Sequence, residues 1–264
     1  MSPKFQELNL PISLKFLANT AVFLPLFGFG FCLIWSFWFD YETSTQTHCE
    51  VDNFAPSISA AIGNYLPQKY VWQTCISLHI TPRFLFLYLY KQFYETRLSN
   101  PTGNQTLIYF TLSVHFLELV SLLGLSIVSS LENFDIHKIC FGTFVVCSLI
   151  YFALTIRLWT GKWKGVYDHS FNGLKDFNNI DKKSLETKRL VLKSYFVCGM
   201  LCTFFYWEHN TYCYPNIYSF FCVFEYVIVL ANMYFHWTAY YDFENLNVTI
   251  PSGSKNYLPL HNSS

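Results

Sequence analysis

Apolar residues along the chain fall into six blocks separated by polar segments. The first, Phe16–Phe39, runs 24 residues without an ionisable side chain. Further blocks cover Tyr70–Tyr90, Thr106–Ser129, Ile139–Trp159, Leu190–Trp207 and Ile217–Tyr240. A helix needs about 20 such residues to cross roughly 30 Å of hydrocarbon, and each block is close to that length. Backbone groups in lipid must bond within the segment, so the blocks are predicted to be helices. A β-barrel would need alternating apolar and polar residues in short strands, and that alternation is absent. The pattern predicts an all-α, polytopic membrane helix bundle of about six transmembrane helices. Its parts would be an N-terminal segment over 1–15, a single membrane domain over 16–243 and a tail over 244–264. The first block is too long for a signal-peptide core, and no small-x-small site follows Phe39, so it reads as a retained signal anchor.

Composition agrees with that reading. Only 13% of residues are charged, against about 25% in an ordinary soluble domain. Aromatic residues reach 20%, a bias common in membrane helices and their interfacial belts. The formal net charge is zero, and basic residues form no strong cluster, which argues against nucleic-acid binding.

Orientation follows from lysine and arginine. The N-terminus, the second and fourth loops and the C-terminus hold most of the basic residues, including the group from Lys162 to Arg189. The alternate loops hold only Lys69 and Lys138. The positive-inside rule therefore predicts both termini in the cytosol. The segment Lys162–Arg189 is expected to be a long, polar, mobile loop. The sequons at Asn104, Asn247 and Asn262 all fall on the predicted cytosolic side, where they would be silent. Of nine cysteines, only Cys49 and Cys213 lie in loops on the opposite, oxidising side. A Cys49–Cys213 disulfide is the expectation, with two free thiols as the alternative. Cys198-x-x-x-Cys202 lies inside a helix and has neither redox nor zinc spacing, so no metal site is expected.

Charge at membrane depth is costly and usually functional. The second block carries His79, Pro82 and Arg83, and Pro82 removes one helix hydrogen bond. The third carries His115 and Glu118 on one face; the sixth carries Glu225, Asn232 and His236 on one stripe. Counting along the helices places His79, His115 and Glu118 near the midplane, Glu225 toward the lumen, and Arg83 and His236 toward the cytosol. A bundle could gather these into one polar cavity, with Arg83 paired to Glu118 or to Glu225. The structural alternative is that polar contacts simply lock the helices, each contributing about 1 kcal/mol or less. A second group, His48, Glu132, His137, Glu208 and His209, falls at the lumenal face, where solvated loop side chains are the bland reading. No P-loop, G-x-S-x-G or H-E-x-x-H motif occurs.

Several short blocks resemble those of the post-GPI-attachment-to-proteins factor 2 family. They are Thr47-His-Cys49, Pro67-Gln-Lys-Tyr-Val-Trp72, His79-Ile-Thr-Pro-Arg-Phe84, Ile136-His137, His209-Asn-Thr-Tyr-Cys213, Glu225-Tyr226, Asn232-Met233, Phe235-His236 and Asp242-Phe243. They come in family order across nearly the whole chain. The wider group includes the damage-regulated autophagy modulators. His115 and the length of the Lys162–Arg189 segment depart from the family pattern.

The resemblance implies a Golgi membrane protein, with the endoplasmic reticulum as a second location. It implies a role in GPI-anchor lipid remodelling: a lyso-GPI lacking its sn-2 chain receives a saturated one, and GPI-anchored proteins are then retained at the surface. As an acyltransferase, such a protein needs a base for the sn-2 hydroxyl and a donor for the oxyanion. His79 or His236, oriented by Glu118 or Glu225, would be the base; Arg83 or Asn232 would face the oxyanion. His137 and His209 are candidate headgroup contacts. No bound cofactor is expected, the acyl donor being an acyl-CoA or a phospholipid, and the partners are membrane lipids and lyso-GPI-anchored proteins. The alternatives are a non-enzymatic factor that binds, presents or traffics lyso-GPI proteins and, third, a proton-coupled transporter built on the same buried carboxylates.

Overall fold

In hydrocarbon an apolar run can satisfy its backbone only as a helix, and the helices extend past most runs into the polar margins. The computed structural model describes residues 11–63, 65–97, 101–164, 179–244, 246–249 and 260–262. Strand β1 (Pro11–Ser13) leads into α1 (Leu14–Phe39), and the first loop carries two short helices, α2 (Tyr41–Ser44) and α3 (Ile58–Gly63). Then come α4 (Gln68–Arg97), α5 (Pro101–Ile127), α6 (Phe134–Lys164), α7 (Asn179–Tyr212) and α8 (Ile217–Trp237). The one-turn α9 (Ala239–Asp242) and strands β2 (Leu246–Thr249) and β3 (Leu260–Asn262) close the fold. Among the described residues five helices are long and apolar enough to cross a membrane: α1, α5, α6, α7 and α8. The sixth long helix, α4, is more polar because Gln73, His79, Thr81 and Arg83 interrupt its apolar run.

Helix α7 packs along α8, α5 along α6, and α1 along α4, with α4 against α5 joining two of these pairs. Small residues allow the closest approaches. A Cβ added at Gly28 of α1 would lie 3.1 Å from Cys75 Cβ of α4. One added at Gly124 of α5 would lie 2.9 Å from Cys140 Sγ of α6. Lipid gives helices no hydrophobic reason to associate, so such close van der Waals contact carries much of the packing.

The two flanks of the bundle meet at one end. Strand β1 pairs antiparallel with β2, Ile12 opposite Val248, and β2 pairs with β3. Lys15 Nζ donates to Glu244 Oε1 at 2.9 Å beside them. At the opposite end, Cys49 and Cys213 form a disulfide with their Cα atoms 5.4 Å apart. It ties the first loop to the turn between α7 and α8, where Asn216 takes a left-handed φ of 65° and its N–H donates to Asp52 O.

The expected loop over Lys162–Arg189 is corrected at both ends. Helix α6 continues to Lys164 and α7 begins at Asn179; residues 165–178 lie outside the described residues. Lys188, expected in that loop, is fully buried. Its Nζ donates to both carboxylate oxygens of Asp242 at 2.8 and 2.7 Å, and Ser184 Oγ and Tyr90 OH donate to the same carboxylate. The ammonium also lies 4.6 Å from the centre of the Trp159 ring. The helix continues because the ammonium finds its counter-ion inside the bundle, on the segment following α8.

The turn between α5 and α6 is held by a reciprocal cap. Ser129 N–H donates to Glu132 Oε2 at 2.9 Å, and Glu132 N–H donates to Ser129 Oγ at 3.2 Å. Lys69 Nζ, one residue into α4, donates to Glu132 Oε1 at 2.8 Å. The Lys69 hydrogen bond, helped by the Ser129 N–H, holds the exposed Glu132 carboxyl down at about 2 against an ordinary value of 4.5.

Two outcomes follow from the disulfide end. Intact protein should run faster on non-reducing than on reducing gels, and Cys49→Ser or Cys213→Ser should each abolish the difference; equal mobility for the wild type would count against the bridge. The Glu132 contribution should be complete above pH 4.5, where the unfolded carboxyl is ionised, and should fade as the pH falls toward 2. Glu132→Ala at pH 7 should open the 129–133 turn, read as faster amide exchange than in the wild type at the same pH.

Candidate active site

Midway along the bundle, four helices converge on one carboxylate oxygen. Glu118 Oε1 of α5 accepts from Arg83 Nη2 of α4 at 2.9 Å, from Asn232 Nδ2 of α8 at 2.7 Å and from Ser148 Oγ of α6 at 3.1 Å. His236 Nε2 of α8 lies 3.0 Å from the same oxygen and also meets Arg83 Nη2. Asn232 Nδ2 also donates to Ser148 Oγ at 2.9 Å. Arg83 is 2% exposed and Glu118 is 0% exposed. The helical periods put these side chains in register: Asn232 and His236 are one turn apart on α8, and Arg83 follows Pro82 on the inward face of α4. Arg83 thus meets Glu118, and Glu225 lies elsewhere.

His115, three residues before Glu118, joins by stacking alone. Its ring lies 4.2 Å from Tyr151 and 5.1 Å from His236, centre to centre, and neither nitrogen has a hydrogen-bond partner.

Beside this cluster is a cavity between α1, α3, α4, α5, α6 and α8. Its walls are mostly apolar, and its polar groups are Ser59, His79, Arg83, Glu225 and Asn232. His79 is 3% exposed, and its Nδ1 lies 2.5 Å from Ala21 O. A carbonyl only accepts, so Nδ1 carries the proton and Nε2 is left as a lone-pair acceptor. That nitrogen has no partner, and neither does Arg83 Nε. Both of the donor hydrogens of Asn232, by contrast, are spent on Glu118 and Ser148. His236 Nε2 is likewise engaged. Among the expected catalytic groups that line the cavity, His79 Nε2 and Arg83 Nε are buried without a hydrogen-bond partner.

Glu225 has a local task. Its Oε2 accepts from Ile58 N–H, the first of α3, at 3.0 Å. Ser57 Oγ accepts from Ala60 N–H in the same turn at 3.1 Å. Together with Ser219 Oγ, which accepts from Phe54 N–H, these contacts fasten the first loop to α8. His137 is engaged at both nitrogens: Nδ1 lies 2.7 Å from Val128 O and Nε2 lies 2.7 Å from Ser59 Oγ. His209 is buried against the His48 and Tyr218 rings, with both nitrogens unpartnered. It sits beside the disulfide, outside the cavity lining.

The donor atoms of His115, Glu118 and His236 lie within 4.8 Å of one another, which is the spacing of a metal site. The donor set does not suit a divalent cation. The Arg83 guanidinium already stands between Glu118 and His236 as the cation of the cluster. In the second such group, His48, Cys49 and His209, the sulfur is committed to the disulfide.

Three serines of the site, Ser148, Ser59 and Ser57, give no signal in the sequence. A single serine in an apolar helix carries no pattern of its own. Ser148 becomes visible only once α6 is known to face Glu118, although its place on the same helix face as Tyr151 and Phe152 is a usable hint.

Removing one member of a buried ion pair strands the other in a low dielectric. Arg83→Met and Glu118→Leu should each lower the unfolding free energy by about 3–5 kcal/mol in detergent. The double variant should cost far less than the sum, because the desolvated charge is gone. Strict additivity in a four-member cycle, followed by denaturant titration, would show that the pair does not couple.

Comparison with known proteins places this chain in a family. The family described as the Frag1/DRAM/Sfk1/Cwh43P N-terminal domain matches residues 13–246. The chain is similar to "Post-GPI attachment to proteins factor 2" of Caenorhabditis elegans, 36% identical over 258 residues that cover 95% of this chain and 94% of the relative. It is also similar to "Acyltransferase PGAP2" of Xenopus tropicalis, 36% identical over 92% of this chain and 94% of the relative. A third relative, "Post-GPI attachment to proteins factor 2-like" of Drosophila melanogaster, is 33% identical over 89% of this chain and 71% of its own length. No solved structure matches the chain. With matches of this extent, the chain belongs to the post-GPI attachment to proteins factor 2 family, within the Frag1/DRAM/Sfk1/Cwh43P N-terminal domain group.

Proposed function

We propose that this protein remodels the lipid of GPI anchors in the Golgi membrane, adding a saturated acyl chain to the sn-2 hydroxyl of a lyso-GPI. The printed names of its relatives support the direction: two of those above are named for GPI attachment and one as an acyltransferase. The observation that carries the reading is the unengaged His79 Nε2 in a mostly apolar cavity within the bundle. Acyl transfer to a lipid hydroxyl needs an acceptor atom for the hydroxyl hydrogen, set where an acyl chain can lie. His79 offers its lone pair with the tautomer fixed by Ala21 O, so the ring need not reorganise. Arg83 Nε is an unspent donor in the same lining, suited to a developing oxyanion. In this scheme Glu118, Asn232, Ser148 and His236 hold Arg83 in place. We place the termini in the cytosol on the lysine and arginine distribution, so the disulfide end faces the lumen.

The second reading, a factor that binds lyso-GPI proteins and presents them to a separate transferase, gains from one feature: Arg83, Ser148, Asn232 and His236 are all turned onto one oxygen of Glu118. Purified protein in lipid discs, given lyso-GPI and either a labelled stearoyl thioester or a labelled diacyl phospholipid, separates the two. Label should enter the sn-2 position, and His79→Ala should slow it roughly 10²-fold or more, the scale of acid–base and positioning effects. No incorporation from either donor, by a preparation that restores surface GPI proteins in deficient cells, would sink the enzymatic reading in favour of presentation.

A further inference from the structure

Ser59 is the second residue of α3, where no helical carbonyl lies four residues before it. Serine and threonine in helices commonly bond back to the carbonyl four residues earlier. Thr111 and Thr203 do so here, to Leu107 O and Gly199 O. Ser59, in the first turn of α3, instead turns its hydroxyl to His137 Nε2 at 2.7 Å. The start of α3 does not call on this hydroxyl, since Ser57 Oγ and Glu225 Oε2 already satisfy the N–H groups of Ala60 and Ile58.

The imidazole is fixed from its other side. Val128 O, 2.7 Å from His137 Nδ1, can only accept, so the proton resides on Nδ1. Nε2 is then the lone-pair nitrogen, and Ser59 O–H donates to it. His137 is buried, Ser59 is half-buried, and Ser59 lines the same cavity as His79 and Arg83. Hydroxyl, imidazole and orienting carbonyl, each within hydrogen-bond reach of the next, have the geometry of an activated nucleophile.

We propose that Ser59 and His137 form a nucleophile–base pair that carries the acyl chain covalently between donor and acceptor. The proposal rests on the acyl-transfer reading above. Ser59 Oγ attacks the carbonyl of a long-chain acyl thioester or acyl ester, and its proton passes to His137 Nε2. The carbon–leaving-group bond breaks, the leaving thiol or alcohol takes the proton from His137, and the chain remains as an ester on Ser59. The sn-2 hydroxyl of the lyso-lipid, oriented by its hydrogen bond to the lone pair of His79 Nε2, then attacks that ester. Its proton passes to His137 and on to Ser59 Oγ, which leaves as the free serine. No oxidant or cofactor enters the balance.

The test uses the full chain in lipid discs. A long-chain alkyl fluorophosphonate should phosphonylate Ser59 with loss of fluoride, identified by peptide mass. The labelling should vanish in Ser59→Ala and slow by roughly 10²-fold in His137→Gln. With lyso-GPI withheld, a labelled acyl thioester or a labelled phospholipid should load the Ser59 peptide, and the one that does so identifies the donor. Ser59→Cys, which keeps the side chain's size, should be loaded as a thioester and guards against a folding defect in the alanine variant. Ser59 left unmodified by the phosphonate and by both donors, in protein with an intact disulfide and unchanged melting, would overturn the pair. Full sn-2 transfer by Ser59→Ala would overturn it while leaving the acyltransferase reading standing. Loading of Ser59 without any transfer to lyso-GPI would do the reverse.

Discussion

A guanidinium and a carboxylate placed in hydrocarbon must each find a partner, because water cannot reach them and the ion alone would be prohibitively costly. In this bundle the solution is shared: Arg83, Glu118, Ser148, Asn232 and His236 come from four helices and meet at one oxygen. That meeting sets the rotation of α4, α5, α6 and α8 about their axes. A rotation of any one by a single residue, about 100°, would take its polar member out of the cluster. Apolar packing against lipid is far less selective, since lipid tails match leucine as well as a neighbouring helix does. The Lys188–Asp242 pair acts similarly at the termini end, joining α7 to α9 with Ser184 and Tyr90 closing the remaining sites.

The same requirement explains which features are legible in the sequence. Bilayer thickness imposes a length on every crossing, so the apolar blocks stand out from the sequence pattern, least clearly the one in α4, where polar residues interrupt it. Charge in lipid demands a counter-charge, so Arg83 has to meet a carboxylate, and Glu118 and Glu225 are the two candidates. Which of them it meets depends on helix rotation, which a one-dimensional pattern does not carry. Lys188 escapes the pattern for a related reason. The segment around it is rich in lysine, and such a stretch reads as solvated loop. Its burial depends on Asp242, 54 residues away, arriving on the short helix after α8. The three serines are invisible because a lone hydroxyl neither breaks an apolar run nor forms a period.

Many polar groups inside the bundle are bonded to one another, while Glu118 Oε2, both nitrogens of His115, Arg83 Nε and His79 Nε2 are buried without a partner. Glu118 spends Oε1 on four neighbours, Asn232 spends both donor hydrogens, and Glu225 caps the first turn of α3. These groups build the site, and their loss would be felt as instability before it was felt as lost turnover. At the cavity, His79 Nε2 and Arg83 Nε have no hydrogen-bond partner, and the hydroxyl of Ser59 is bonded to a base. All three residues line that one space.

The position of α3 gives the cavity its meaning. This six-residue helix would not hold its shape alone, since an isolated segment of this length is well below the size that is stable in water. It is held by Glu225 and Ser57 at its first turn, by Ile58 and Ile62 packed with Phe29, Trp72 and Ile76, and by Gly63, where an added Cβ would come 3.1 Å from Ser129. The Cys49–Cys213 disulfide and the Ser219 contacts anchor the loop that leads into it. The consequence is a hydroxyl held against an imidazole at the disulfide end of the cavity, so that in the proposed acyl transfer it would lose little freedom. Placing a reacting group accurately costs conformational entropy, and here the fold supplies it through contacts that would otherwise be excessive for so short a helix.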